Sequence, residues 1–192
     1  MACIECGDGF TCPEGSVVQI PASCEAGTYL DSASDACVGC PAGSVCAGGV
    51  SQPRPCPRGG YCVANVSQPT DCPAGRYGSV TGLTDASCSG ECAQGYFCEV
   101  GSVSAKAAPC AEGSYGNATG LEAQANCTAC PEGHSCGVGV SQPTPCSPGT
   151  VQPASGQKEC SNCVAGKFMN ESGKTACYWC CLLYTSPSPR DS

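Results

Sequence analysis

The chain has 192 residues and a formal net charge of −8, and only 24 of its residues are Leu, Ile, Val or Phe, too few for one large apolar core. Its 26 glycines and 16 prolines exclude long helices and strands, because glycine costs backbone entropy and proline removes a donor. The charge is spread thinly, with no basic patch for nucleic acid and no apolar run long enough to span a bilayer. What replaces the core is a set of 23 cysteines, since small units that cannot bury enough surface are closed covalently.

In chain order the cysteines bound ten loops of two kinds, all opening Cys-x-x-Gly. The short loop, C-x2-G-x2-C, runs from Cys6 to Cys12, Cys40 to Cys46, Cys56 to Cys62, Cys92 to Cys98 and Cys130 to Cys136. The long loop runs from Cys24 to Cys37, Cys72 to Cys88, Cys110 to Cys127, Cys146 to Cys160 and Cys163 to Cys177. Pairing within each loop would use 20 cysteines and leave Cys3, Cys180 and Cys181. Crossed pairing, first to third and second to fourth, stays open, because spacing does not fix connectivity. A closed loop of about 15 residues gains roughly 3 kcal/mol, so ten of them could stand in for the missing core.

The glycine three residues after each opening cysteine is what a tight turn with positive φ needs. The residue two further on in the long loops, Tyr29, Tyr77, Tyr115 or Phe168, with Val151 as the exception, is expected to pack over the adjacent disulfide. Similar spacers follow three short loops: 50–53, 66–69 and 140–143 each read Val-Ser-Gln-Pro, and the proline makes each a stiff link. Long loops pass on through about two residues, so the spacing predicts a semi-rigid rod.

Four of the five asparagines sit in glycosylation sequons, at Asn65, Asn117, Asn126 and Asn170. Ser and Thr fill 33 of 192 positions, so chance would place fewer than one there. Asn126 is the poorest acceptor, with a cysteine as its middle residue. Sequons and disulfides together point to an extracellular or cell-surface location.

No catalytic site and no cofactor are expected. The C-x2-C pairs could be zinc ligands, but a glycine after every opening cysteine and an oxidising compartment favour disulfides. The only histidine, His134, occupies a slot filled by Phe10, Ser44, Gly60 or Tyr96 in other short loops, and reads as a solvated loop tip. Asp31 and Asp35, the nearest candidates for calcium, have no counterparts in other repeats. The insert around Cys56 is the one clear departure from the array, and Arg54 and residues 100–108 are candidate contacts for an unknown extracellular protein or glycan ligand.

Cys3 and Cys180 stand where a preceding loop should close and a next one open, so the array is expected to continue past both ends, and a membrane span is possible beyond them. From Cys181 the pattern stops: CLLYTSPSPRD looks like a translated transposon-end sequencing adapter, and 181–192 are set apart from fold reasoning. Residues 1–180 are then tandem cysteine-rich repeats. The stretches CEAGTYLDSASDACVGCPAGSVC and CAEGSYGNATGLEAQANCTACPEGHSC resemble the ephrin-receptor-like cysteine-rich repeat of the growth-factor-receptor cysteine-rich class and, more distantly, tumour necrosis factor receptor modules. That resemblance implies short β-hairpins, elongated ectodomains and a place in receptors, adhesion proteins or large surface proteins. The expected fold is therefore a small disulfide-rich repeat array of short β-hairpins and loops, almost without helix, elongated as a rod. Its expected role is a non-catalytic stalk or surface-array segment, or else a ligand-binding receptor or adhesion ectodomain.

Overall fold

Each repeat opens with the same turn. In the computed structural model, which describes residues 10–11, 20–21, 23–49 and 51–180, the amide after each glycine donates to the carbonyl of the residue after the opening cysteine, from Thr28 to Glu25 through Lys167 to Val164, at 2.9–3.3 Å. The glycine is the third residue of that turn, and Gly27, Gly43, Gly59, Gly75, Gly95, Gly113, Gly133, Gly149 and Gly166 all have φ between 72° and 86°. A side chain there would meet the following carbonyl, which is why the turn requires glycine.

The turn leads into a strand that pairs with the residues just before the next opening cysteine. The resulting antiparallel hairpins, in chain order, are β1 (Phe10–Thr11) with β2 (Ile20–Pro21), β3 (Thr28–Asp31) with β4 (Ala36–Gly39), and β5 (Ser44–Val45) with β6 (Arg54–Pro55). Next come β7 (Gly60–Tyr61) with β8 (Thr70–Asp71), β9 (Arg76–Tyr77) with β10 (Gly90–Glu91), and β11 (Tyr96–Phe97) with β12 (Ala108–Pro109). The last four are β13 (Ser114–Tyr115) with β14 (Thr128–Ala129), β15 (His134–Ser135) with β16 (Thr144–Pro145), β17 (Thr150–Val151) with β18 (Ser161–Asn162), and β19 (Lys167–Phe168) with β20 (Tyr178–Trp179). The only helix among the described residues is a single 3-10 turn at Gln124–Asn126.

Nine within-loop disulfides close these units: Cys24–Cys37, Cys40–Cys46, Cys56–Cys62, Cys72–Cys88, Cys92–Cys98, Cys110–Cys127, Cys130–Cys136, Cys146–Cys160 and Cys163–Cys177. The pair Cys6–Cys12 lies outside the described residues. The chain is a disulfide-rich array of repeated hairpins, and its buried apolar side chains are almost all cysteine, with Phe97, Val151 and Met169 beside them.

The chain forms two compact units, residues 1–109 with 118–126, and residues 110–117 with 127–192. Within the first, the turn-glycine amide reaches the next repeat: Gly27 to the Cys46 carbonyl, Gly43 to Cys62, Gly59 to Gly78 and Gly75 to Cys98, at 2.8–2.9 Å. A second residue returns the contact to the opening cysteine of the preceding repeat: Gly49 to the Cys24 carbonyl, Asn65 to Cys40, Gly82 to Cys56, Gly101 to Cys72 and Gly120 to Cys92, at 2.7–3.0 Å. The second unit uses the same scheme, with Gly113 donating to Cys136, Gly133 to Gln152 and Gly149 to Met169, and with Gly139 donating to Cys110, Gly156 to Cys130 and Gly173 to Cys146.

The acceptor in each case is the residue three after the next turn glycine. In a short loop it is the closing cysteine, and in a long loop it is Gly78, Gln152 or Met169, all buried. Both loop types therefore present the same backbone to their neighbours. This corrects one expectation: the repeat at Cys56 is not a departure, since it makes every one of these bonds. The spacers, expected as stiff links, take part in the docking. Val66 and Val140, the first residues of two of them, accept from the Cys46 and Gly116 amides at 3.0 Å.

The residues expected to cover the disulfides are less buried than that reading implies. Tyr29, Tyr77 and Tyr115 are half-buried and Phe168 is 43 % exposed, whereas Val151, the exception in sequence, is 8 % exposed.

The glycine contacts give a direct test. A Cβ on Gly75 would sit 2.5 Å from the Gly120 carbonyl oxygen, at a φ of +81°. Gly75→Ala is expected to destabilise the first unit by about 2–3 kcal/mol through left-handed strain and this clash, read as faster local hydrogen exchange at the Cys98 and Gly120 amides.

Candidate functional site

In five hairpins the second strand, two residues before the next opening cysteine, is fully exposed. Arg54 and Pro55, Thr70 and Asp71, Thr128 and Ala129, Thr144 and Pro145, and Ser161 and Asn162 are all exposed. These are polar residues, small residues or proline. The last hairpin breaks the rule, because its second strand is Tyr178–Trp179, 58 % and 70 % exposed. Those five pairs are exposed with repeats described on both sides, and Tyr178–Trp179 are exposed at the last hairpin.

Register pairs Lys167 with Trp179 and Phe168 with Tyr178. The Lys167 ammonium lies 4.4 Å from the centre of the Trp179 ring, a cation–π contact, and the Phe168 and Tyr178 rings are 6.2 Å apart and tilted by 53°. Phe168, Tyr178, Trp179 and Cys180 line an open hollow of about 620 Å³. Cys180 is an exposed free thiol, and its amide donates to the Gly166 carbonyl at 2.9 Å, the bond that other opening cysteines make. Stacking is the chemistry this hairpin offers. The sequence signal was available: no other pair at this slot contains an aromatic residue.

The four sequon asparagines are exposed. Two are also used by the fold. Asn65 is a left-handed residue at φ 63°, the one non-glycine among the return contacts, and a Cβ on Gly39 would collide with its side-chain oxygen. The Asn126 oxygen accepts from the Ala123 amide at 3.0 Å, and its middle residue Cys127 is bonded to Cys110. Asn117 and Asn170 stand at one common position, four residues after turn glycines Gly113 and Gly166. Asn170 is followed by Glu171, whose carboxylate pairs with Lys174 at 2.8 Å and raises that lysine's pKa.

The remaining candidates fall elsewhere. His134 is no loop tip: it opens β15, is half-buried and pairs with Pro145, and its Nδ1 is 2.9 Å from the Glu132 carbonyl. Asp31 accepts from the Ser34 hydroxyl at 2.7 Å and the Ser34 amide at 3.2 Å, closing its own hairpin turn. The Ser34 hydroxyl first, then the Ala33 amide, hold its carboxyl below the usual range. Asp35 is a left-handed turn residue at φ 50°. Cys37, Cys40, Cys127, Cys130, Cys160, Cys163 and Cys177, the described members of the C-x2-C pairs besides Cys180, are all in disulfides. Among the described residues no group of three side chains is placed to hold a metal, and no helix is long and apolar enough to cross a membrane. Cys3 and Cys181 lie outside the described residues.

No family model matches the chain, and no curated protein matches it.

The special place of Asn65 can be measured. Asparagine tolerates the left-handed region and glycine adopts it freely, so Asn65→Gly is expected to stay within about 0.5 kcal/mol of the parent, while Asn65→Ala loses about 1 kcal/mol. Thermal unfolding with disulfides intact, together with exchange of the residue-65 amide, reads both.

Proposed function

We propose that residues 1–180 are a non-catalytic, extracellular region of ephrin-receptor-like cysteine-rich repeats that acts as a structural stalk or surface-array segment. The observation that carries this reading is that neighbouring repeats dock through one recurring set of backbone hydrogen bonds, the same in short and long loops. Side chains are then free to vary without loss of the array, which suits a spacer whose length matters more than its surface. The nine disulfides fit an oxidising compartment, where such units persist.

A ligand-binding receptor or adhesion ectodomain is the second reading, favoured by the Tyr178–Trp179 hairpin, since a contact site in an array is a repeat that departs from its neighbours. The partner would be an extracellular protein or glycan.

Deletion separates the two. Removing residues 56–71 takes out one repeat and brings Gly82 to the Cys40 carbonyl that Asn65 meets now. With the chain placed between a binding head and a membrane anchor, the stalk reading expects normal secretion, the remaining disulfides unchanged, and a shorter reach. It also expects Tyr178→Ala with Trp179→Ala to leave cell attachment unaltered. Attachment lost in the double variant, with secretion intact, would establish the receptor reading instead.

A further inference from the structure

The exposed rings of the last hairpin stand beside a glycan acceptor. Asn170 follows Phe168 by two residues, and Met169 between them is 4 % exposed. Alternate side chains of an extended segment point to opposite faces, so with Met169 inward, the exposed Phe168 and Asn170 share the outer face. The same triplet recurs as Tyr115, buried Gly116 and exposed Asn117. At Asn170 alone the aromatic two residues upstream extends into a larger surface, through Tyr178 at 6.2 Å and through Trp179, which is itself stacked on Lys167.

Two exposed rings on the sequon's face, Phe168 and Tyr178, with Trp179 lining the same hollow, suit a pyranose better than an apolar protein segment. The C–H face of a sugar is drawn to the negative face of an aromatic ring, while its hydroxyls stay wet. The hollow is open, as a ligand that keeps most of its hydration requires. Asn65 and Asn126 offer no such platform, because the residues two before them are Val63 and Gln124 rather than an aromatic.

We propose that Asn170 carries an N-linked oligosaccharide whose first sugar lies over Phe168 and Tyr178, so that the chain's own glycan covers the aromatic hairpin. This rests on the secretory reading above. In the attachment step the Asn170 Nδ2 forms a bond to the anomeric carbon of a glycosyl diphosphate donor. The bond from that carbon to the diphosphate oxygen breaks, the amide nitrogen gives up one proton, and the diphosphate departs with the bonding pair. No oxidant or reductant is involved. The covered hairpin is then unavailable to a protein partner, which turns the departing repeat into part of the stalk.

Trp179 is the only tryptophan and lines the same hollow as Phe168 and Tyr178, so its fluorescence reports on the last hairpin. The full chain, Asn170→Gln and Asn117→Gln would be secreted from glycosylating cells, sequon occupancy mapped by mass spectrometry, and acrylamide quenching compared. The expected result is sugar on Asn170, quenching about twofold stronger in Asn170→Gln, and no change in Asn117→Gln. An occupied Asn170 with equal quenching in Asn170→Gln overturns the proposal, as does an equal rise in Asn117→Gln. Sugar on other sequons but not on Asn170 overturns it while leaving the secretory reading intact. A chain that reaches the medium with all four sequons bare removes the glycoprotein reading, and the proposal with it.

Discussion

One left-handed residue per repeat, and the carbonyl it reaches, set the rest of this fold. A chain without a large core must still satisfy its backbone polar groups. Here the carbonyl of each opening cysteine from Cys24 to Cys146 is taken by an amide from the following repeat, at Gly49, Asn65, Gly82, Gly101 and Gly120 in the first unit and at Gly139, Gly156 and Gly173 in the second. All eight have φ between 63° and 80°. That conformation turns the chain back onto the preceding repeat, and a residue that could not adopt it would leave a buried carbonyl open.

The disulfides and this docking divide the work. Eleven cysteines are fully buried and form the small cores, and each disulfide limits the freedom of the unfolded chain by roughly 2–3 kcal/mol. They do not bind one repeat to the next, since every described pair closes a single loop. The position three residues after the turn glycine is where the two systems meet. It is the closing cysteine in a short loop and, in the long loops that accept here, the buried Gly78, Gln152 or Met169, so its backbone can serve the neighbour whatever its side chain. Gln152 shows how far this goes: its amide is satisfied locally by the Glu159 carbonyl and the Ala154 amide, at 2.6 and 3.2 Å.

Much of this was legible in sequence. The turn glycines and the near absence of helix follow from Cys-x-x-Gly and from the glycine and proline content, whereas within-loop pairing was one of two connectivities the spacing left open. The return residues were equally regular from Cys40 onward, nine residues after the opening cysteine of a short loop and ten after that of a long one, all glycine but Asn65. They were hidden because Asn65 breaks the column and because the two loop lengths shift it by one residue. The apparent insert at Cys56 came from counting disulfide types, when the repeat is defined by backbone bonds that both types supply. The aromatic hairpin escaped notice because Tyr178–Trp179 has to be compared with the residues before every other opening cysteine, not with the loops they follow.

An array built in this way accepts change in its exposed strands at little cost to folding, and one hairpin with three exposed aromatic residues can be tolerated, used or covered. The docking bonds are the central claim, and residue-resolved hydrogen exchange with all disulfides intact tests them most directly. The Gly43, Cys62, Asn65 and Gly82 amides are expected to exchange at least about a hundredfold more slowly than in an unstructured peptide, and to lose that protection together on full reduction. Exchange at the unstructured rate with the disulfides closed would contradict the account, leaving a string of stapled loops with no docking between them.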